Sequence, residues 1–282
     1  MNIKGKTVLV TGGARGIGRA TAEAFVARGA RLVIGDIDEE LAREVSGELG
    51  GRALGLPLDV TSPTSFATCW GEALAAFGRV DVLVNNAGIM PTGSFVDESE
   101  TSTDRQIAIN LKGVINGCRL AGRHMGVGGG AVVNIASLAG ATGFPGVATY
   151  SATKFAVVGL SQALRAEFEP LGISLHVVMP GVVRTELSAG MQLPAALRGF
   201  VTVEPGDVAR AVVRSVETGR FDSKVPRRLG VLLRSSSFVP DRARRGLERR
   251  TGYDDVLTGA DPDARRAYEE RIAALSEAPK DV

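Results

Sequence analysis

The chain has 282 residues, of which 44% are hydrophobic, and its formal net charge is +2 at pH 7. This apolar content is sufficient for a large core and excludes a wholly disordered chain, while the nearly balanced charge gives no argument for a nucleic-acid partner. The 36 glycines exceed the ordinary frequency but lack the three-residue period of collagen.

Strands and helices are predicted to alternate along the chain. Almost continuously apolar, β-branched runs predict buried strands at 7–10, 31–36, 53–59, 80–86, 131–137 and 173–180. Helix-period segments lie near 17–28, 38–49, 63–77, 103–123 and 151–169. This alternation predicts an α/β fold, a Rossmann-like doubly wound parallel sheet of about seven strands with helices on both faces. Ligands of such sheets bind at the carboxyl ends of the strands.

Two segments bear on location. The N-terminal segment has lysines and only a short apolar run, which is typical of a first strand rather than of a signal peptide. The uncharged stretch 125–153 contains several glycines and Pro145, and these would make a poor membrane helix. We interpret it as a buried strand followed by a substrate-side loop, and we expect a cytoplasmic protein.

Thiol and imidazole side chains are few. Cys69 and Cys118 lie in apolar, helix-like segments, and together with His124 and His176 they do not have the spacing of zinc ligands. We therefore expect two buried free thiols, no disulfide framework and no metal site.

A glycine-rich segment, TGGARGIG at 11–18, follows the first predicted strand, and a helix is predicted to begin near Ile17. Gly12, Gly16 and Gly18 would allow a tight turn, close approach of the backbone to a diphosphate, and close helix–strand packing. Free N–H groups and the positive dipole end at a helix start favour a phosphate there. No GK[ST] follows, so the loop is not of the nucleotide-hydrolase type.

Asp36 ends the second predicted strand, where an acid can accept hydrogen bonds from both hydroxyls of an adenosine ribose. Its carboxylate would repel a 2′-phosphate. Arg15 acts in the opposite direction because a guanidinium can pair with that phosphate, and Ile37 supplies no second cation. The sequence therefore favours NAD over NADP as the cofactor, and NADP is the alternative.

Five motifs occur in one order: TGGARGIG at 11–18, NNAG at 85–88, Ser137, YSATK at 150–154 and PGVVRT at 180–185. Together they resemble the short-chain dehydrogenase/reductase family over about residues 4–226. The resemblance implies a nicotinamide dinucleotide, an alcohol or ketone substrate, and a homo-oligomer, tetramer or dimer, formed through the helices near 103–123 and 151–169. The family's cofactor contacts, carried over motif by motif, fall on Asp59 and Val60 beside the adenine, on Asn86, Ala87 and Gly88 along the cofactor wall, and on Val183 and Thr185 at the nicotinamide amide. Further cofactor contacts implied by the resemblance are Tyr150, Lys154, Pro180 and Gly181.

Tyr150 and Lys154 are four residues apart, so their side chains share one face of a helix. A phenol has an ordinary pKa near 10, and a neighbouring ammonium is expected to lower it by about 2–3 units. Tyr150 can then accept the proton of an alcohol, or donate one to a carbonyl, while hydride moves to or from nicotinamide. Ser137, at the end of the fifth predicted strand, can hydrogen-bond the substrate oxygen; a serine bonded only to backbone is the alternative.

Asn110 matches the family's catalytic asparagine, which holds a water that links the lysine to bulk solvent. A buried asparagine that only satisfies backbone groups is the alternative.

Apolar residues dominate the segments expected beside Tyr150. They are Met90, Leu138, Phe144 and Val147, with Leu187, Met191, Leu193, Pro194, Leu197 and Phe200 in the loop after Gly181. They predict an apolar secondary alcohol or ketone, lipid-like, alicyclic or steroid-like, although some of them must belong to the core.

The composition changes after residue 226. Residues 227–250 carry a net charge of +6 and residues 251–282 one of −4, so the first 226 residues are neutral. We expect one catalytic domain over 1–226, holding both the cofactor and the substrate sites, and a helical extension over 227–282 that is basic, then acidic. A helix packed on this subunit or its neighbour is the first interpretation of 231–250, and peripheral contact with an anionic membrane is the alternative.

The sequence thus predicts an oxidoreductase that transfers hydride between NAD and a secondary alcohol or ketone, with Asn110, Ser137, Tyr150 and Lys154 as its catalytic residues. An NADP-dependent carbonyl reductase is the nearer alternative. A dinucleotide-binding sensor or scaffold without turnover is the more distant one, and the presence of Ser137 and Tyr150 argues against it.

Overall fold

The computed structural model describes residues 1–126, 128–191, 199, 201–229 and 261–274. Its strands are β1 (Thr7–Thr11), β2 (Arg31–Asp36), β3 (Ala53–Pro57), β4 (Val82–Asn85), β5 (Gly130–Ile135), β6 (Ile173–Pro180), β7 (Val182–Val183), β8 (Thr202–Val203) and β9 (Asp222–Val225). Its helices are α1 (Gly16–Val26), α2 (Glu39–Glu48), α3 (Pro63–Phe77), α4 (Glu100–Ile107), α5 (Gly113–His124), α6 (Ala148–Phe168), α7 (Pro205–Thr218) and α8 (Pro262–Ala274).

The main sheet has seven parallel strands in the order β3-β2-β1-β4-β5-β6-β9. The two short strands β7 and β8 pair separately. The predicted doubly wound α/β class is confirmed, and each of the six predicted strands corresponds to a strand of this sheet. The strand order reverses direction between β1 and β4, which is where such sheets hold their ligands.

The core lies on both faces of the sheet because alternate side chains of a strand point to opposite sides. In β1, Leu9 packs with the core beneath α3, α5 and α6, while Val8 and Val10 pack with that beneath α1, α2 and α7. Strands β1, β4 and β5 are fully buried, which accounts for their continuous apolar runs. Cys69 and Cys118 lie in the first of these cores as buried free thiols, as predicted.

Polar side chains fix several helix starts at the edge where the strands end. Asp38 accepts from the Leu41 N–H at the start of α2, and Ser62 accepts from the Ser65 N–H at the start of α3. These caps satisfy backbone donors that have no partner within the helix. The residues between these strands and the capped helices lie at the edge of the sheet where β2 and β3 end.

The predicted helix over 103–123 is interrupted. It is α4 and α5 joined by a wider π-helical turn, Ala108–Lys112, with Asn110 at its centre. A π turn redirects a side chain that regular helix would place elsewhere, and such turns recur at functional sites. Asn110 is fully buried there and points at the segment that follows β4.

The C-terminal helix α8 packs on the same edge of the sheet. Tyr268 and Ile272 of α8 form a buried cluster with Ile89. A helical part of the extension is thus present, while 231–250, the basic segment considered above as a packed helix or a membrane contact, lies outside the described residues. Among the described residues, no helix combines the length and the apolarity needed to cross a bilayer.

Candidate active site

The glycine-rich loop joins β1 to α1 and leaves no room for side chains at its ends. A Cβ atom on Gly18 would lie 2.0 Å from the Gly12 carbonyl oxygen, and one on Gly12 would lie 2.9 Å from the Ala87 Cα. Gly12 and Gly16 also have φ angles of +60° and +51°, in the region that favours glycine. The loop is therefore a close-packed backbone cradle, of the kind a diphosphate requires.

The start of α1 remains available to an anion. Arg15 occupies the N-cap position without any side-chain capping bond, and the first turn, which includes Ile17, carries no acidic residue. The N–H groups and positive dipole end of α1 therefore point past the loop without a competing carboxylate.

The NNAG segment is attached to the glycine loop by hydrogen bonds. The Asn86 side-chain amide donates to the Thr11 and Gly12 carbonyls at 3.0 and 2.9 Å. The Thr11 hydroxyl accepts from the N–H groups of Asn86 and Ala87 at 3.0 and 3.1 Å. Thr11 is a positioning residue that the sequence argument did not single out. These bonds hold the ends of β1 and β4 together as one surface.

Asp36 lies at the end of β2, beside the loop. Its carboxylate accepts from the N–H groups of Ala14 at 3.0 Å and Asp38 at 3.2 Å. Burial raises the pKa of Asp36 above its ordinary value, and these two donors act against that rise. The half-buried carboxylate is thus fixed against the loop, next to the start of α1.

Arg15, which could pair with a 2′-phosphate, already has a carboxylate partner. Its guanidinium pairs with Asp38 at 2.8 Å, and the two side chains are 45% and 39% exposed. Exposed pairs of this kind add little stability, but the pair occupies Arg15 with a carboxylate. This ion pair could have been predicted from the sequence, because Asp38 lies only two residues after Asp36 and so close to the glycine loop.

Two other predicted cofactor positions lie at the end of β3. The Asp59 carboxylate accepts from the N–H and the hydroxyl of Thr61, both at 2.8 Å. Val60 is buried, and its carbonyl accepts from Asn116 of α5 at 3.0 Å. Both residues therefore face the same edge of the sheet as Asp36.

The predicted catalytic residues Ser137, Tyr150 and Lys154 meet just beyond the end of β5. The Lys154 Nζ atom donates to the Ile135 carbonyl at 3.0 Å and lies 5.5 Å from the centroid of the Tyr150 ring. The Ser137 hydroxyl accepts from the Ala139 N–H at 3.1 Å and lies near enough to the Tyr150 phenol to act on its pKa. Tyr150 and Lys154 follow one another on the buried face of α6, as their spacing predicts.

Burial controls the proton affinities of this group. It raises the pKa of Tyr150 to about 12, with the Ser137 hydrogen bond acting against the rise. It lowers the pKa of Lys154 to about 8. The lowered pKa of the phenol that was predicted from the neighbouring ammonium is therefore not found, because burial disfavours the phenolate and raises its pKa.

A pH-dependent stability difference should follow from Lys154. Between its folded pKa of about 8 and its ordinary value of 10.5, the unfolded chain binds more protons, so the free energy of unfolding rises with pH. Lys154→Met removes this dependence. In urea unfolding without added nucleotide, wild type should gain about 1–3 kcal/mol relative to the variant between pH 7.5 and 10. A difference that stays constant across this range would contradict the lowered pKa of Lys154.

Asn110 lies next to Lys154. Its side-chain oxygen accepts from the Ile89 N–H at 2.8 Å, and its amide nitrogen donates to the Ile89 carbonyl at 2.9 Å. A Cβ atom on Gly88 would lie 3.2 Å from that oxygen and 3.6 Å from the Lys154 Nζ. Asn110 therefore does satisfy backbone groups, as the alternative interpretation predicted. Its role in holding a water stays a prediction.

The PGVVRT segment reaches the glycine loop from the end of β6. A Cβ atom on Gly16 would lie 3.2 Å from the Thr185 Cγ2. The Val183 carbonyl accepts from the hydroxyl of Ser188, a residue that was not predicted to take part in the site. Gly181 has no space for a side chain, because its Cβ would lie 2.6 Å from the Val201 carbonyl oxygen. Pro180 ends β6 directly before it. This segment therefore closes one side of the loop.

Five of the predicted substrate-side residues gather around Tyr150. Met90 and Val147 are buried with Tyr150 and Ala139, and partly buried apolar side chains pack against them: Phe144, Leu187 and Met191. Leu138 belongs instead to the large core under α3, α5 and α6. Leu193, Pro194, Leu197 and Phe200 lie outside the described residues.

Comparison with known proteins gives one family. Residues 6–194 match the sequence model of a family that is described as short chain dehydrogenase. Sorbitol dehydrogenase of Cereibacter sphaeroides is 40% identical over 223 residues, which cover 78% of this chain and 86% of the relative. A 3-alpha-(or 20-beta)-hydroxysteroid dehydrogenase of Mycobacterium bovis is 41% identical over 185 residues, 65% of this chain and 71% of the relative.

A solved structure agrees with these relatives. The crystal structure of a short chain dehydrogenase/reductase from Burkholderia phymatum in complex with NAD has a TM-score of 0.75 and 26% identity to this chain, and the match covers 83% of this chain and 93% of that one. The family match runs from β1 past β7 and so includes the glycine loop, the NNAG segment and the Ser137, Tyr150 and Lys154 group. The chain belongs to the short-chain dehydrogenase/reductase family and is an NAD(P)-dependent oxidoreductase that acts on CH–OH donors.

Proposed function

We propose that this protein interconverts an apolar secondary alcohol and its ketone with NAD(H), using Tyr150 as the general acid and base. The observation that carries the proposal is the meeting of Ser137, Tyr150 and Lys154 at the end of β5, against the apolar cluster of Met90 and Val147. A proton-transfer group, a hydroxyl able to orient an oxygen and an apolar surface are the three parts that carbonyl reduction requires.

Each residue has a part in that reaction. In oxidation, Tyr150 acts as the phenolate: it accepts the proton of the substrate hydroxyl as the substrate carbon gives up hydride, so the phenolate becomes a neutral phenol and the alcohol becomes a ketone. Ser137 holds the substrate oxygen through a hydrogen bond. The Lys154 ammonium, held by the Ile135 carbonyl and 5.5 Å from the centroid of the Tyr150 ring, stabilises that phenolate against the rise in pKa that burial causes. Asn110 supports Lys154 by holding a water. Bound NAD supplies the hydride acceptor.

The backbone cradle fits a dinucleotide. The glycine loop would take the diphosphate at the start of α1, Asp36 the adenosine ribose, and the PGVVRT segment the nicotinamide end. The remaining proposed contacts are those carried over above, Asp59 and Val60 beside the adenine and Asn86, Ala87 and Gly88 along the wall.

NAD is the proposed cofactor rather than NADP. Asp36 presents a carboxylate where a 2′-phosphate would lie, and Arg15 is already paired with Asp38 at 2.8 Å. The solved relative from Burkholderia phymatum was crystallised with NAD. An NADP-dependent carbonyl reductase stays the nearer alternative, since Arg15 could exchange Asp38 for a phosphate.

Cofactor preference is tested with Asp36→Ala, using Asp38→Asn as the control. Wild type should bind NADH more tightly than NADPH in fluorescence titrations. Asp36→Ala should weaken NADH binding about tenfold, because hydrogen bonds to a charged group are lost. Asp38→Asn keeps the cap of α2 and should leave NADH affinity within about twofold of wild type. Tighter binding of NADPH by wild type would contradict the proposal.

The apolar cluster beside Tyr150 favours a cyclic or lipid-like alcohol over a polyol. The names of the relatives include both a hydroxysteroid and sorbitol, and the residues around Tyr150 agree with the former.

A sensor or scaffold that binds NADH without turnover is the candidate from another class. It gives no reason for Lys154 to be buried beside Tyr150, since such burial is costly unless it serves a purpose.

We further propose that residues 1–226 carry both sites and that the protein assembles with copies of itself, as a dimer or tetramer. Ile107 of α4 and Phe155 of α6 are large apolar side chains that are 43% and 45% exposed in the single chain, and they lie on the helices through which the family resemblance implies assembly. Sedimentation would distinguish a monomer from either assembly.

A further inference from the structure

Both backbone groups of Met90 are bonded to side chains of α8. The Met90 N–H donates to the Tyr268 Oη atom at 2.9 Å, and the Met90 carbonyl accepts from the Arg265 Nη2 atom at 2.8 Å. These partners are 178 and 175 residues apart in the chain. The family match ends at residue 194, so α8 lies beyond it. A helix outside the matched region is therefore hydrogen-bonded to the segment that follows NNAG.

The residue before Met90 is held in the same way by the catalytic region. Asn110 bonds both the N–H and the carbonyl of Ile89, at 2.8 and 2.9 Å. Four consecutive backbone polar groups are thus fixed by side chains, two by Asn110 and two by α8. Any displacement of α8 acts on a strip of chain that Asn110 also holds.

Arg265 connects a second segment to the first. Its Nη1 atom donates to the carbonyls of Leu187 and Ala189, both at 3.1 Å, in the segment that follows PGVVRT. Arg265 is 2% exposed, and its Nε atom pairs with Glu269 at 3.1 Å. A buried guanidinium needs such partners, and its fork of donors allows it to bond carbonyls from two chain segments at once.

Both segments held by Arg265 contribute side chains to the apolar cluster at Tyr150. Met90 is buried in that cluster, and Leu187 packs against it. Leu187 also packs on the cluster that Ile89 forms with Tyr268 and Ile272. The apolar wall beside Tyr150 and the inner face of α8 are therefore continuous through Leu187.

We propose that Arg265 and Tyr268 are positioning residues that set the substrate specificity of this enzyme. By fixing Met90 and the 187–189 segment, they define the apolar wall against which the substrate carbon skeleton packs beside Tyr150. The inference rests on the proposed alcohol and ketone chemistry for its substrate class. A helix that only stabilises the fold is the alternative.

The test compares Arg265→Met and Tyr268→Phe with Arg266→Met in the full chain. Arg266 is adjacent to Arg265, its side chain is 68% exposed, and it pairs with Asp263 on the outer face of α8, so it is a matched control. With NAD and the best cyclic secondary alcohol, Arg265→Met should raise KM about tenfold, because the charged hydrogen bonds to both segments are lost, and Tyr268→Phe about fivefold, because one neutral hydrogen bond is lost. The kcat value, the Kd for NADH and the Arg266→Met kinetics should each stay within about twofold of wild type.

Hydrogen exchange supplies a readout that does not depend on turnover. Tyr268→Phe removes the acceptor of the Met90 N–H, so peptides covering 89–92 should exchange faster, and Arg265→Met should also speed exchange over 187–190. Exchange in β4 and β5 should not change. If wild type oxidises no alcohol, the proposed function fails while this readout still tests the coupling.

Two results would overturn the inference. One is exchange and KM values for Arg265→Met and Tyr268→Phe that equal those of Arg266→Met. The other is a lower Tm with faster exchange throughout the sheet and kcat/KM values that keep the wild-type ratio between cyclic secondary alcohols and sorbitol, which is the behaviour of a merely stabilising helix.

Discussion

Tyr150→Phe should lower kcat by about 10²- to 10⁴-fold, because the variant loses the group that exchanges a proton with the substrate oxygen. The phenyl ring fills the same space in a buried position, next to Val147 and Ala139. The Kd for NADH should therefore stay within about twofold of wild type. Steady-state kinetics and a fluorescence titration of the same preparation give both quantities.

The contacts of Tyr150 make this a demanding test. Ser137 lies near the phenol and Lys154 lies over the ring, so the variant leaves both neighbours in place while removing one oxygen. Turnover near the wild-type rate would exclude Tyr150 as acid and base. Loss of turnover together with loss of NADH binding would instead indicate a damaged cofactor site.

Gly18→Ala should weaken NADH binding by about 100-fold or more, because a clash in the cradle removes several interactions at once. The new Cβ would lie 2.0 Å from the Gly12 carbonyl oxygen and 2.7 Å from the Asn86 side-chain nitrogen. Neither can move freely, since Asn86 bonds the carbonyls of Thr11 and Gly12. The loop and the NNAG wall must separate to admit one methyl group.

Gly71→Ala is the matched control for this change. Gly71 lies within α3, and nothing approaches within 4 Å of the position its Cβ would occupy. The substitution should raise the free energy of unfolding by about 1 kcal/mol through helix propensity and leave NADH affinity unchanged. NADH binding by Gly18→Ala at wild-type strength would show that the loop does not have the packing described here.

The sheet was predictable where its strands are buried on both faces. Continuous apolar runs mark β1, β4 and β5 because those strands meet core on each side. Strand β9 has no such run: three of its four residues are only partly buried, and its sequence is DSKV. Helix α7 was likewise not predicted. The π turn at Asn110 could not be predicted either, because its hydrophobic pattern does not differ from that of a regular helix.

The site was predictable where its geometry is local. The glycine loop, Asp36 at the end of a strand, and Tyr150 one turn before Lys154 all follow from spacing within one or two elements. The raised pKa of Tyr150 and the lowered pKa of Lys154 were not predictable, because they depend on burial by distant segments. Arg265 and Tyr268 reach Met90 from the far end of the chain, and no local pattern marks them.

The central claim, that this chain oxidises an apolar secondary alcohol with NAD, is tested most directly by NADH absorbance in wild-type enzyme. The full chain is supplied with NAD and a panel of cyclic and steroidal secondary alcohols, with sorbitol included as a polyol. We expect NADH to accumulate with the cyclic and steroidal alcohols, and faster than with sorbitol. Saturable binding of NADH without absorbance change across the whole panel would contradict the claim and favour a sensor or scaffold.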